Sequence, residues 1–212
     1  MDRIDKVKLW ISIFFRIILA GAGVFAIYKN DWINLAFIVI TLFLTFIPSL
    51  FEKRFQIDYP SEFEIFILLF IILSMYLGEV HKFYYVFWWW DLMLHALSGI
   101  IIGIIGFSLV YILNQERKIK LDLSPMFIAI FSFSFAIAIG VVWEIFEFSV
   151  DSLFGLNMQK SGLVDTMWDL IVDMFGALIV SGLGYLYLKG RFDFFKSFEK
   201  WFIMHNPRLF KK

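Results

Sequence analysis

Residues 164–188 read VDTMWDLIVDMFGALIVSGLGYLYL, an apolar stretch that carries Asp165, Asp169 and Asp173 at intervals of four. On a helix that spacing stacks all three carboxylates on one stripe. The run behind them is long and apolar enough to enter a bilayer, so a stripe of acid goes in with it. Such a stripe needs compensation, and the rest of the chain shows where that could come from.

The 212 residues are 61% hydrophobic and include 28 Phe, and the mean hydropathy is +0.80. This lies above the roughly 45–50% apolar share of a soluble domain. The fold class that follows is all-α: a polytopic membrane helical bundle. Apolar runs of spanning length fall at 9–28, 32–51, 61–78, 91–113, 125–150 and 168–188, giving six transmembrane helices in one domain over 1–188. Ala20-Gly21-Ala22 near the start superficially resembles a signal-peptide cleavage site, but Arg16 interrupts the apolar region and the run continues to spanning length. Pro48 and Pro125 fall near span ends, where proline is tolerated.

Orientation follows from the basic residues. With the N-terminus inside, the inner side holds Arg3, Lys6, Lys8, Lys53, Arg54, Arg117, Lys118, Lys120, Lys189, Arg191, Lys196, Lys200, Arg208, Lys211 and Lys212, and the outer side only Lys29, Lys82 and Lys160. Both termini are therefore expected in the cytoplasm (N-in/C-in), with Trp88, Trp89 and Trp90 at the outer interface. Arg16 is expected to snorkel to the inner surface. Residues 189–212 place Phe195, Phe198 and Phe202 at helical spacing among Lys196 and Lys200, which reads as a cytoplasmic amphipathic tail lying on the inner leaflet.

Zero net charge and the absence of a basic arm set nucleic acid aside as a partner, and zero Cys excludes disulfides, thiolate metal sites and cysteine nucleophiles. No Ser-His-Asp order or Gly-rich phosphate loop stands out. The acids are another matter. Asp91 and His95 are spaced i,i+4 where the fourth span enters from outside; Glu144 and Glu147 are spaced i,i+3 where the fifth leaves; Asp169 and Asp173 enter with the sixth, and Asp165 lies one turn above. Six carboxylates and one imidazole thus gather at one depth near the outer boundary.

Each charge costs roughly 2.5–3.5 kcal/mol near the centre of a spanning helix, and facing like charges repel. Protonation, a wet cavity or a bound cation would relieve this. The carboxylate count favours a divalent cation, with Mg²⁺, Mn²⁺ or Ca²⁺ ahead of zinc because oxygen donors dominate. Asp91, His95, Glu144, Glu147, Asp169 and Asp173 are the candidate ligands, and His95 is a ligand or general base. Asp91 and Asp169, read as helix starts, could be satisfied by capping, and Asp165 as a loop or cap residue. Glu144, Glu147 and Asp173 have no such explanation. Glu62 and Glu64 read as acids on the helix dipole of the third span. Glu79 and His81 border the outer loop and could join the cluster. Gly99, Gly103, Gly106 and Gly176 supply small faces for close helix packing.

The order Asp91-x3-His95-x3-Gly99, then Trp143-Glu144-x2-Glu147, then Asp165-x2-Trp168-Asp169-x3-Asp173 with Gly176-Ala177 resembles the YjdF-like inner membrane proteins, a family of unknown function, over nearly the whole chain. That resemblance implies a small multi-pass protein of the prokaryotic plasma (inner) membrane. More distantly the pattern is similar to VanZ-like membrane proteins. There Glu147 and Asp173 stand where glutamine and asparagine are usual, a departure that speaks against a glycopeptide-resistance role.

Three functions fit the residues. The first is a divalent-metal-dependent hydrolase or transferase acting at the outer leaflet on a membrane lipid or polyprenyl phosphate. The second is a cation-binding or proton-coupled transporter or sensor, and the third an assembly subunit whose acids pair with a partner's basic residues. Because the chain lacks Cys, single cysteines report its sidedness. Lys82→Cys is expected to react with a membrane-impermeant maleimide on intact cells, and Lys53→Cys only after permeabilisation. The reverse pattern would invert the topology.

Overall fold

The acid-bearing helices run further than their apolar cores. In a computed structural model, which describes residues 3–115, 121–191, 193 and 196–210, six helices are long and apolar enough to span a membrane: Ile4–Tyr28, Trp32–Phe55, Ser61–Val80, Trp90–Asn114, Pro125–Phe154 and Leu163–Leu188. At most 33% of each apolar window is buried inside the chain. The remaining apolar faces, among them Ile17, Val24, Phe148 and Leu178, have no water-compatible environment, and the bilayer provides one. Arg117, Lys118, Lys120, Phe195, Lys211 and Lys212, used above for orientation and for the tail, lie outside the described residues.

The chain divides into two compact units. The first holds α1 (Arg3–Tyr28), α2 (Trp32–Leu44), α3 (Ile47–Phe55), α4 (Ser61–Ile71), a π-helical continuation Ile72–Val80 and the short α5 (Phe83–Val86), together with Met204–Asn206. Asp31 caps α2 by accepting the Asn34 N–H. Leu19, Ala26, Ile38 and Ile72 form the buried core. The second span is interrupted at Thr45-Phe46, and Pro48 opens α3, where its missing N–H costs nothing.

Arg16 finds partners within the first unit. Its Nε donates to Thr45 Oγ1 at 3.2 Å, its Nη2 to the Thr45 carbonyl at 2.9 Å, and its guanidinium stacks on Phe46 at 3.8 Å. The break in the second span exposes a carbonyl, and that carbonyl holds the arginine. Glu64, read above as a dipole acid, is in the first turn of α4 but buried, and its partner is Lys8 at 2.6 Å.

The second unit contains α6 (Trp90–Gln115), α7 (Pro125–Phe154) and α8 (Leu163–Leu188), followed by α9 (Lys196–His205) and α10 (Pro207–Phe210). Ser124 caps α7 by accepting the Phe127 N–H, with Pro125 in the first turn. Asp91 does sit in the first turn of α6. Asp169, however, stands six residues inside α8, and Glu147 seven residues before the end of α7, so neither is at a terminus. Capping explains neither of them.

Glycine brings α6 and α8 together. A Cβ on Gly99 would lie 2.5 Å from the Asp173 carbonyl, and one on Gly176 2.5 Å from the Ala96 carbonyl. Each helix therefore uses its glycine to admit the other's backbone. Phe107, Val110, Ile128 and Val180 fill the core beyond this contact, and Ser132 on α7 donates to the Gly103 carbonyl at 2.9 Å.

Gly176→Ala is expected to lower the thermal unfolding midpoint of the purified protein, since overpacking costs about 1–3 kcal/mol. Gly182→Ala, whose added Cβ meets nothing within 4 Å, should leave it unchanged or raise it. Equal midpoints for both variants would contradict the glycine contact.

Candidate functional site

The i,i+4 and i,i+3 pairs of α6, α7 and α8 point their acids to one place in the second unit. His95 occupies its centre. Its Nδ1 lies 3.2 Å from Asp173 Oδ2, and its Nε2 lies 3.9 Å from Asp91 Oδ1 and 3.8 Å from Glu144 Oε1. Asp91, His95 and Asp169 each offer a ligand atom, all within 4.8 Å of one another. His95, Glu144, Glu147, Asp169 and Asp173 are buried, and Asp91 lies at the rim.

Asp173 and His95 are held as a pair. Ser98 Oγ lies 2.8 Å from both Asp173 Oδ1 and the His95 carbonyl, so its single hydrogen is shared between them. Gly140 on α7 leaves the room, because a Cβ there would sit 2.6 Å from Asp173 Oδ2. With Nδ1–H donated to the Asp173 carboxylate, Nε2 is the ring nitrogen that faces Asp91 and Glu144. That is the arrangement in which a carboxylate orients a metal-binding histidine.

The remaining acids differ in what they do. Glu147 Oε1 accepts from Trp143 Nε1 at 2.9 Å, one turn back along its own helix. Asp165, in the first turn of α8, accepts the Lys160 backbone N–H at 3.0 Å and so fastens the preceding loop. Lys160 Nζ reaches Asp91 Oδ2 at 2.7 Å. Glu79 and His81 belong to the first unit, where the His81 ring stands edge-on to Tyr76 at 4.8 Å.

Over residues 7–190 the chain matches the family described as "Predicted membrane protein (DUF2238)". It belongs to that family. A relative in Thermotoga maritima, described as "Uncharacterized protein", is 27% identical over 147 residues, which cover 69% of this chain and 74% of the relative. No solved structure matches. The family match lends no support to the more distant VanZ-like resemblance.

In this DUF2238 protein one acid stands apart. Glu144 is 4% exposed, and neither of its carboxyl oxygens has a hydrogen-bond partner of good geometry. Around it stand the side chains of Thr166 and Gln159, which are bonded to each other at 2.6 Å, and His95 at 3.8 Å. A buried carboxylate so weakly met is costly to hold ionised.

Sequence reasoning missed Ser98, Gly140 and the Lys160–Asp91 pair. Ser98 could have been found, since it follows His95 by three residues on the same helix face. Gly140 and Lys160 depend on how α7, its loop and α8 come together. Glu144→Gln is expected to raise the unfolding midpoint in chelator, by replacing a buried carboxylate that makes no well-formed hydrogen bond with a neutral amide. Asp173→Ala should lower it by about 1–3 kcal/mol, because His95 and Ser98 lose their acceptor. Shifts of the same sign in both variants would contradict this account.

Proposed function

We propose that this membrane protein binds a divalent cation at Asp91, His95 and Asp169 and uses it as a hydrolase or transferase on a phosphate-bearing membrane lipid or polyprenyl phosphate. The observation that carries the reading is Glu144: a buried carboxylate with no well-formed hydrogen bond, 3.8 Å from His95 Nε2, beside three residues that offer ligand atoms within 4.8 Å of one another. A cation at this point would neutralise charge that, among the described residues, only Lys160 and His95 oppose, and would satisfy the donors together. Mg²⁺, Mn²⁺ and Ca²⁺ suit a set of carboxylates with one imidazole better than zinc does.

The chemistry follows from the donors. A divalent cation held by Asp91, His95 and Asp169 would polarise a phosphoryl oxygen and make an attacking water more acidic. In hydrolysis, the water oxygen would bond to phosphorus as the bond from phosphorus to the leaving oxygen breaks. Glu144 would take the water proton and return it to the leaving oxygen. Asp173 orients His95, and Ser98 orients Asp173. Beyond Asp173, α8 continues as MFGALIVSGLGYLYL without another ionisable side chain except its tyrosines. That run offers no acidic path onward, which favours binding and reaction in place over cation or proton transport. Within the family, the motif order supports a YjdF-like protein of a prokaryotic inner membrane, and the distribution of Lys and Arg supports N-in/C-in.

Elemental analysis of purified protein, dialysed and then re-exposed to Mg²⁺, Mn²⁺ or Ca²⁺, tests the cation. Roughly one ion per chain is expected for the wild type, and loss of it in Asp169→Asn. Wild-type protein that retains no stoichiometric ion would sink the reading.

A further inference from the structure

A phosphate approaching several carboxylates is repelled unless a basic group meets it, and the loop between α7 and α8 supplies one. That loop is tied to the helices that carry it. Asp151, near the end of α7, accepts the Met158 N–H at 2.7 Å and the Gln159 N–H at 2.9 Å through its two oxygens. Asp165 accepts the Lys160 N–H, and Gln159 Nε2 donates to Thr166 Oγ1. From this frame Lys160 Nζ reaches Asp91 Oδ2 at 2.7 Å, its side chain 24% exposed at the rim of the site.

A rim ion pair contributes little to stability by itself. Here, however, both carboxyl groups of Asp151 and Asp165 are spent on fixing the backbone that delivers the ammonium. The carboxylate it meets belongs to the proposed cation group. Asp91 therefore offers one oxygen toward His95 and the other to Lys160. An ammonium held at the edge of the proposed cation group is where a phosphate drawn to that group would meet a second positive partner.

We infer that Lys160 is the anion-recognising residue of this site: it pairs with Asp91 at rest and transfers its ammonium to the phosphate of an incoming phosphate ester. The inference rests on the cation reading above and names the group that selects the substrate. Lys160 governs which anions bind, whereas the cation is held by Asp91, His95 and Asp169.

The test is calorimetric, on the full chain in phosphatidylcholine nanodiscs, titrated first with Mn²⁺ and then with inorganic phosphate. Thermal melting of each variant verifies that it is folded. Mn²⁺-loaded wild type is expected to bind phosphate, Lys160→Met to bind it about tenfold more weakly or worse, and Lys160→Arg to stay within about threefold of wild type. Mn²⁺ affinity should be undiminished in both variants, since the lysine competes for Asp91. If phosphatidic acid in the nanodisc weakens phosphate binding, the inference holds with a lipid headgroup as the source of the anion. If it has no effect, the inference holds with a soluble phosphate ester. Mn²⁺ bound with equal phosphate affinity in wild type and Lys160→Met, or with no phosphate binding at all, overturns the role of Lys160 and leaves the cation site standing. A wild type that binds no Mn²⁺ overturns both.

Discussion

The backbone approach of α6 and α8 at Gly99 and Gly176 is the constraint on which the second unit depends. Lipid provides no hydrophobic force to press two helices together, so close approach must come from small residues and direct backbone contact. The pair of glycines allows it, and its effect on the acids is immediate. Asp173 is carried on α8 beside its own carbonyl's contact with Gly99, and His95 lies one turn before Gly99 on α6. Setting the two backbones against each other therefore sets Asp173 Oδ2 on His95 Nδ1 at 3.2 Å. Wider separation would leave a buried imidazole and a buried carboxylate without each other.

From that pair the polarity of the site spreads outward in steps. Ser98 and Gly140 fix Asp173; Asp173 fixes which nitrogen of His95 is left to face Asp91 and Glu144; Lys160 closes the rim on Asp91. Charges in this medium interact more strongly than in water and cost more when alone, so the arrangement is stable only as far as each acid is answered. Glu147 is answered by Trp143, Asp165 by a backbone N–H, and Asp91 by Lys160. Glu144, buried and 3.8 Å from His95 Nε2, is the one whose oxygens make no well-formed hydrogen bond.

The spans were legible because a twenty-residue apolar run is a strong and nearly unambiguous signal. Their ends were less so. A hydropathy reading treats Asp169 as the edge of a span, but helix formation depends on backbone bonding and packing, and α8 begins five residues earlier than the 168–188 span, at Leu163. The pairing of acids was legible for a different reason: spacings of three and four on a helix define a face whatever surrounds it. What could not be read was which acid of a pair does what. Glu144 and Glu147 share a face of α7, yet one points to His95 and the other lies back on Trp143, a choice made by the rotation of α7 against its neighbours. The partner of Arg16 was not legible because it is a carbonyl freed by a break in another helix, and no side-chain pattern records that.

Asn206 bears on how the chain matures. Its side chain behaves like one rung of a β-ladder, accepting the Asp58 N–H at 2.8 Å and donating to the Asp58 carbonyl at 2.9 Å across 148 residues of sequence. Asn206 is 2% exposed, so the contact is sealed once made. During synthesis, which proceeds from the N-terminus, the loop after the second span emerges long before its partner does. The first three spans therefore leave this amide and this carbonyl to water until the other three have been made. For the first unit, the order of synthesis and the order of completion are thus different.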